Sequence, residues 1–287
     1  MAELQSTQLL AETPLLRAHE VVCREPRSGF GEAMFNAVAQ IGLPRRGLFL
    51  MKVRGKEVVV DPNTALVLGA EDEYRIGHPV AGGDESLVLV LPPHLIEDAI
   101  GAVDACIGSL TPRDQLAISL LARTLRDGQP DQLEAEEGTL LLLNLLSRAF
   151  GRPMGENGLG PAQRRRVEQA RGLLASSPAT RWDLGRIGRE LHCSPFHLAR
   201  QFRAATGGTI SGYILRLRLS IAIDRLAEGE RNIAALAVET GFAHHSHFSA
   251  RFRSVVGITP SQARNLLARP KVESLRLLAR PPSNGDR

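Results

Sequence analysis

The sequence predicts an α+β protein of two domains: a small β-barrel with following helices, then an all-α domain carrying two helix-turn-helix units. Three observations carry that reading. Short β-prone runs crowd the first third of the chain, residues beyond 163 read as helix throughout, and the helical part matches itself at an offset of fifty residues. Charge divides at the same place. Residues 1–158 hold 14 lysines and arginines against 22 aspartates and glutamates, a net −8, whereas residues 159–287 hold 21 against 9, a net +12. A basic half of that kind points to a polyanionic partner.

The first domain is expected over residues 1–150. Its β-rich part spans 18–91, where "GLFLMKVRGKEVVVD" places two β-prone runs around a hairpin turn at Arg54-Gly55-Lys56, and "TALVLGA" and "SLVLVLP" follow between Gly, Pro and Asp. Short strands at close spacing favour a barrel or sandwich over alternating βαβ units. Residues 94–150 are expected to be helical, through "HLIEDAIGAVDACI", "TPRDQLAISLLARTLRDG" and "DQLEAEEGTLLLLNLLSRAFG", with Thr111 as N-cap and Pro112 at the first helical position. Residues 140–146 are apolar almost all round, so that helix needs cover on more than one side, from its own barrel or from a second copy in a homodimer.

"GRPMGENGLGPAQRR", residues 151–165, has four glycines and two prolines in a polar setting and reads as a linker, placed at 151–163. Beyond it, "HLARQFRAATGGTIS" lies over "HFSARFRSVVGITPS" at the fifty-residue offset, pairing His197 with His247, Phe202 with Phe252, Arg203 with Arg253 and Gly207 with Gly257. Two copies are too few for a solenoid; they are one helical module used twice. In the first, "WDLGRIGREL" forms a helix, "HCS" a turn, and Ser194-Pro195 opens a second helix, serine as cap and proline at its first position. Leu198 and Phe202 share one face of that helix, and Phe196, Arg200 and Arg203 another. Gly207 ends it. A helix, tight turn and helix with a polar outer face suits the major groove, about 12 Å wide.

The segment from "LGRIGRELHCSPFHLARQF" to "IAALAVETGFAHHSHFSARFRSVVGITPSQAR" resembles the DNA-binding domain of AraC-type (AraC/XylS) transcriptional regulators. The likeness covers about residues 164–264, within a DNA-binding domain set at 164–268 and followed by a tail at 269–287. The upstream half is similar to the small cupin-like barrel with helices that many such regulators use for effector sensing and dimerisation. The resemblance implies two helix-turn-helix units joined by the helix "ISGYILRLRLSIAIDRLA", so that one chain reads two successive major-groove faces about 34 Å apart. It also implies which residues meet DNA. Pro195, Phe196, Ala199 and Arg200 belong to the first contact face, with Arg203 on phosphate; His245, Ser246 and Ser249 belong to the second, with Arg251 and Arg253. Where the family often has arginine, this chain has Ala250, and Arg251 stands one step, about 100°, further round the helix. The expectation is that the first unit discriminates bases and the second mainly anchors. The implied partners are double-stranded promoter DNA, a second copy of the chain, RNA polymerase and a small-molecule effector, and the implied regulatory sign is activation.

Other chemistries fit the sequence poorly. His244 and His247 share a face, but no cysteine lies near them, so a metal there is not expected. His247 reads as scaffold beside the core, His245 as groove-facing and His244 as the residue opening the helix. The first half has no HxH pair of the metal-cupin kind, only isolated His19, His78 and His94. Phosphate loops, nucleophile elbows and HExxH motifs are absent from the sequence. No catalytic residue, cofactor or metal is therefore expected, and the rival readings are a cupin-type enzyme with an attached basic DNA-binding domain and a non-specific architectural DNA binder. "CREPRSGFG" and "HPVAGGD" are turns able to rim an effector pocket; nothing in the sequence sets Cys23 beside a base. The three cysteines are far apart, no signal peptide opens the chain and no apolar run reaches about 18 residues, which suits a reducing cytoplasm and no membrane partner; the family resemblance implies that this cytoplasm is bacterial and the protein nucleoid-associated.

Overall fold

The computed structural model describes residues 5–101, 106–150 and 158–279. The first domain contains strands β1 (Gln5–Thr13), β2 (Leu16–Cys23), β3 (Met34–Phe35), β4 (Gln40–Gly47), β5 (Phe49–Val53), β6 (Lys56–Val60), β7 (Thr64–Leu68), β8 (Glu73–Gly77), β9 (Asp84–Val90) and β10 (Cys106–Ser109). Helix α1 (Pro93–Ile100) separates β9 from β10, and α2 (Pro112–Asp127) and α3 (Gln132–Phe150) follow. All strand pairs are antiparallel, in a sheet ordered β1-β2-β9-β4-β7-β10 and a smaller one ordered β3-β8-β5-β6. Phe49, Met51 and Val53 of the small sheet pack on Leu66 and Leu68 of the large one. The β5–β6 turn is the expected one: Arg54 and Gly55 sit at φ 49° and 73°, the two left-handed positions of a tight hairpin.

Two expectations for this domain need correction. Strand structure begins at Gln5, well ahead of residue 18, because β1 pairs along the whole of β2. The helix expected over "HLIEDAIGAVDACI" ends at Ile100, residues 102–105 lie outside the described residues, and Cys106–Ser109 form β10, whose backbone completes the open edge of β7. Elsewhere the local chemistry acts as read. Thr111 accepts from the Asp114 amide while the Asp114 carboxylate accepts from the Thr111 amide, a full capping box in front of α2. Helix α3 is covered by α2, α1, α11 (Val272–Ala279) and β10, leaving Leu133 and Leu140 exposed.

The second half is α4 (Pro161–Ser176), α5 (Leu184–Glu190), α6 (Pro195–Thr206), α7 (Ile210–Ala227), α8 (Ile233–Glu239), α9 (His245–Val256), α10 (Pro260–Ala268) and then α11. Helix α4 starts inside the stretch expected as linker, of which residues 151–157 lie outside the described residues, and α11 lies in the stretch expected as tail, where 280–287 lie outside them. The first helical unit closes its own core around Val167, Leu174, Ile187, Leu198, Phe202 and Tyr213. The second shares one core with α2 and α3, in which Phe248 and Phe252 join Leu116, Leu120 and Leu142.

Polar contacts fix both units to the first domain. Arg171 of α4, fully buried, binds Glu168 at 2.9 Å, Thr64 Oγ1 at 3.0 Å and Asp61 at 3.6 Å, and the Tyr213 hydroxyl of α7 donates to the same Asp61 carboxylate. The Val59 amide on the edge of β6 donates to Glu168 Oε2 at 2.7 Å, which occupies an otherwise open strand edge. Arg113 of α2 donates to the terminal carbonyls of Val256 and Leu278 at 2.7 and 3.1 Å, where helix ends leave acceptors unfilled.

Candidate nucleic-acid interface

Each helix-turn-helix is set by a short helix, a tight turn and a longer helix. In the first, Asp183 caps α5 by accepting from the Arg186 amide at 2.8 Å, His192 takes the left-handed conformation at φ 48° in the turn, and α6 ends at Gly207 with φ 70°. Ser194 occupies the N-cap of α6 but its side chain makes no cap hydrogen bond, so Pro195 rather than the serine hydroxyl starts the helix. Leu198 and Phe202 point inward, while Pro195, Phe196, Arg200 and Arg203 lie on the outer face and Ala199 is half-buried. Phe196 is 72% exposed, an aromatic ring presented to solvent at the start of the helix.

In the second unit Asn232 caps α8, the turn passes through Gly241 at φ 86°, and α9 opens after His244, which makes no side-chain cap. Phe248, Phe252 and Val256 are its buried seam. His245, Ser246, Ala250, Arg251 and Arg253 are exposed and Ser249 half-buried, with its hydroxyl 3.4 Å from His245 Nε2. His247 stays exposed while its ring packs edge-on against Phe242 at 5.8 Å. The ten residues expected on DNA thus fall on two outward helix faces, five or so on each. Arg200, Arg203 and Arg251 have no carboxylate partner among the described residues.

The two faces are held relative to one another by α7, 18 residues and therefore about 27 Å long. Arg218 near its centre is the tie: Nε and Nη2 donate to Pro178 and Thr180 carbonyls of the first unit at 2.8 and 3.0 Å, and Nη1 donates to the Gly241 carbonyl of the second at 2.8 Å. Gly241 has no room for a side chain, since a Cβ there would lie 2.7 Å from the Ala179 carbonyl oxygen. Spacing in the sequence locates both turns but carries no sign of this tie, because Arg218 reads simply as one more basic residue.

A second feature lies in the first domain. Between its sheets is a cavity of about 850 Å³, lined on one side by alternate residues of the large sheet (His19, Val21 and Cys23 of β2; Gly42 and Pro44 of β4; Ser86 and Val88 of β9) and on the other by Phe49, Met51 and Ile76. The intervening residues of the same strands face the helices. A β-bulge between Pro44 and Arg46 turns Arg45 and Arg46 toward α7, where Arg46 binds Asp224 at 2.7 Å and also Glu228, and Arg45 stands 3.7 Å from Asp224. Burial pushes the Asp224 carboxyl up, against the pull of Arg46 and Arg45.

Cys23 does stand beside a base: its Sγ is 3.3 Å from His78 Nε2, which also lies 3.1 Å from Asp84 Oδ2. Residues 55 positions apart meet because "CREPRSGFG" and "HPVAGGD" close on each other, with the Ser28 amide donating to the His78 carbonyl at 2.8 Å and Cys23 pairing Asp84 across the sheet. Burial pushes the Asp84 carboxyl up to about 6, with His78 pulling the other way. No linear motif announces the cluster; only the strand register brings it together.

Residues 187–266 match the family model of a helix-turn-helix domain. The transcriptional activator RhaR of Salmonella dublin is 34% identical over 93 residues, 32% of this chain and 33% of that protein, so the aligned part spans about a third of that relative's length. The probable transcriptional regulator LumQ of Photobacterium leiognathi is 26% identical over 224 residues, 74% of this chain and 87% of that protein. Among solved structures, unsaturated-fatty-acid-bound ToxT from Vibrio cholerae aligns over 88% of this chain and 96% of its own at 15% identity, with a TM-score of 0.37. An AraC-type DNA-binding-domain protein from Chromobacterium violaceum aligns over 39% of this chain and 99% of its own at 26% identity and a TM-score of 0.36. Over residues 187–266 the chain thus carries a helix-turn-helix domain similar to the one in these transcriptional regulators.

Proposed function

We propose that this protein is a sequence-specific regulator of transcription that reads two adjacent major-groove segments with α6 and α9. The observation that carries this is the pair of outward helix faces on one frame, α6 with Phe196, Arg200 and Arg203 and α9 with His245, Ser246, Arg251 and Arg253, tied through Arg218. Arg200 is the base reader of the first face, since a guanidinium pairs bidentately with guanine, and Phe196 meets a thymine methyl. Pro195 and Ala199 bring the helix start close to the bases, and Arg203 and Arg253 take phosphates. His245, Ser246 and Ser249 address the second segment, where Arg251 anchors. Activation through RNA polymerase, in a bacterial cytoplasm, completes the reading. The test is fluorescence anisotropy with a site selected from random DNA, against scrambled DNA of equal length. We expect the selected site to bind at least about 10³-fold more tightly; equal affinities identify a non-specific architectural binder instead.

The cavity is the effector site in this reading. Its basic side chains are the imidazoles of His19 and His78, with no lysine or arginine, so the protein offers a buried anion no permanent positive charge there. The effector we propose is an uncharged, mainly apolar molecule. Its signal passes through β4 and β9, whose residues alternate between the cavity and the Arg45, Arg46 and Glu85 contacts that face α7. The exposed Leu133 and Leu140 on α3, 72% and 45% accessible, form the centre of a homodimer seam. Changing both to glutamate is expected to leave a monomer by sedimentation; an unchanged dimer refutes that seam.

A further inference from the structure

We propose that Cys23, Glu25 and His78 form a binding site for a divalent metal ion of the zinc class, with Asp84 orienting the imidazole and one coordination position left open to the cavity. One ligand atom from each of Cys23, Glu25 and His78 lies within 4.8 Å of the others. Thiolate, imidazole and carboxylate together are the donor set of zinc rather than of magnesium or calcium, which take oxygen ligands.

The two edges of the imidazole are differently placed. Nε2 faces Asp84 Oδ2 at 3.1 Å and Cys23 Sγ at 3.3 Å, and Nδ1 is buried without a hydrogen-bond partner, 3.4 Å from Glu25 Oε2; the thiol turns about its side-chain torsion from the Nε2 edge to reach an ion at Nδ1. Around a tetrahedral zinc ion, neighbouring nitrogen and oxygen ligands lie about 3.3 Å apart, so Nδ1 and Glu25 already stand at a ligand-to-ligand spacing. Nε2–H then donates to Asp84, the outer carboxylate that fixes the tautomer of a metal-bound histidine. Three protein ligands leave a fourth position, and the cluster opens on a cavity large enough for a small molecule to fill it.

Charge and rigidity support the assignment. A thiol and two carboxylates share this corner with one histidine, and no lysine or arginine lines the cavity to balance them. The corner is also fixed by backbone. Gly83, at φ 74°, passes so close that a Cβ would lie 1.9 Å from the Cys23 carbonyl oxygen, and the Gly31 amide donates to the Ile76 carbonyl at 2.9 Å, holding the loop of Glu25 against that of His78. The site does not depend on the DNA-binding reading, and its test uses no DNA.

The experiment is cobalt and zinc titration of the full chain after chelation and dialysis, followed by metal analysis and absorption spectroscopy. We expect about one equivalent of either ion and, with Co²⁺, the intense near-ultraviolet charge-transfer band that only a thiolate ligand gives. Cys23→Ser should abolish the band, whereas Cys106→Ser with Cys193→Ser should keep it; this second protein decides the matter should Cys23→Ser fold poorly. Asp84→Asn should weaken Zn²⁺ binding about 10- to 100-fold while retaining the band. A cobalt complex without the thiolate band, a band that survives Cys23→Ser or vanishes in Cys106→Ser/Cys193→Ser, or metal bound well below one equivalent each overturns the proposal. Binding by the histidines of α9 is distinguished by the same spectrum, since no cysteine lies among 241–252.

Discussion

Replacing Arg171 by methionine tests whether the first helix-turn-helix is locked to the β domain. The guanidinium is 1% exposed and its partner Asp61 is wholly buried. Removing one side of a buried ion pair costs about 3–5 kcal/mol, because the other charge stays behind. Methionine refills much of the volume, and Asp61 keeps the Tyr213 hydroxyl and the Asn63 amide at 2.7 Å, which places the cost at the low end, about 3 kcal/mol. Asp61→Asn removes the stranded charge, so the double variant should lose less than the sum, with a coupling of about 1.5 kcal/mol or more. The assay is urea unfolding followed both by far-ultraviolet dichroism and by fluorescence of Trp182, the one tryptophan, which lies in the first unit against Arg186. In the wild type the two signals should coincide, and in Arg171→Met the tryptophan signal should unfold first. A cost under about 1 kcal/mol with no coupling refutes the buried pair and the docking built on it.

Further outcomes follow from the same contacts. Arg200→Ala should relax preference at one base position by about 1–3 kcal/mol, while Arg203→Ala should weaken all sequences alike and lower the salt slope by about 1 in a binding titration. Across a panel of operator variants, Ser246→Ala should relax specificity less than Arg200→Ala; equal relaxation contradicts the division of labour between the two units. Gly241→Ala places a side chain at φ 86° against the Ala179 carbonyl, and should cost about 1–3 kcal/mol in thermal unfolding while weakening both DNA segments together. Burial, and then Arg17, lowers the His19 pKa, so the folded chain holds that proton less tightly than the unfolded one. Stability should therefore rise with pH through the window just below 6.5 and fall on acidification through it, and His19→Gln should flatten that part of the curve in a pH series of melts.

Much of the two outward helix faces was legible because they rest on local signals: Leu198 and Phe202 against Phe196, Arg200 and Arg203 at helical spacing, Gly207 as a terminator, and a second copy fifty residues on. The hairpin at Arg54-Gly55 and the Thr111 capping box are local in the same sense. What stayed hidden is long-range. Cys106–Ser109 is only four residues long, so nothing in its pattern separates the end of a helix from an edge strand; pairing with β7 decides. Arg218 joins 178–180 to 241 through backbone carbonyls, which have no sequence signature. Cys23, Glu25, His78 and Asp84 meet only through the register of β2 with β9 and the closure of two glycine-rich turns. The continuous core from α2 into α9 likewise depends on which apolar faces find each other, and each face alone reads as amphipathic helix.

The central claim is that one chain reads two major-groove segments through a rigid connecting helix. Inserting five base pairs between the two protected segments of a footprinted site tests it most directly, because half a helical turn carries one segment to the opposite side of the duplex. The account predicts that binding falls more than about tenfold and that a ten-base-pair insertion does not restore it within one chain, since α7 is about 27 Å long and cannot stretch. Undiminished affinity after the five-base-pair insertion, with both segments still protected, would contradict it.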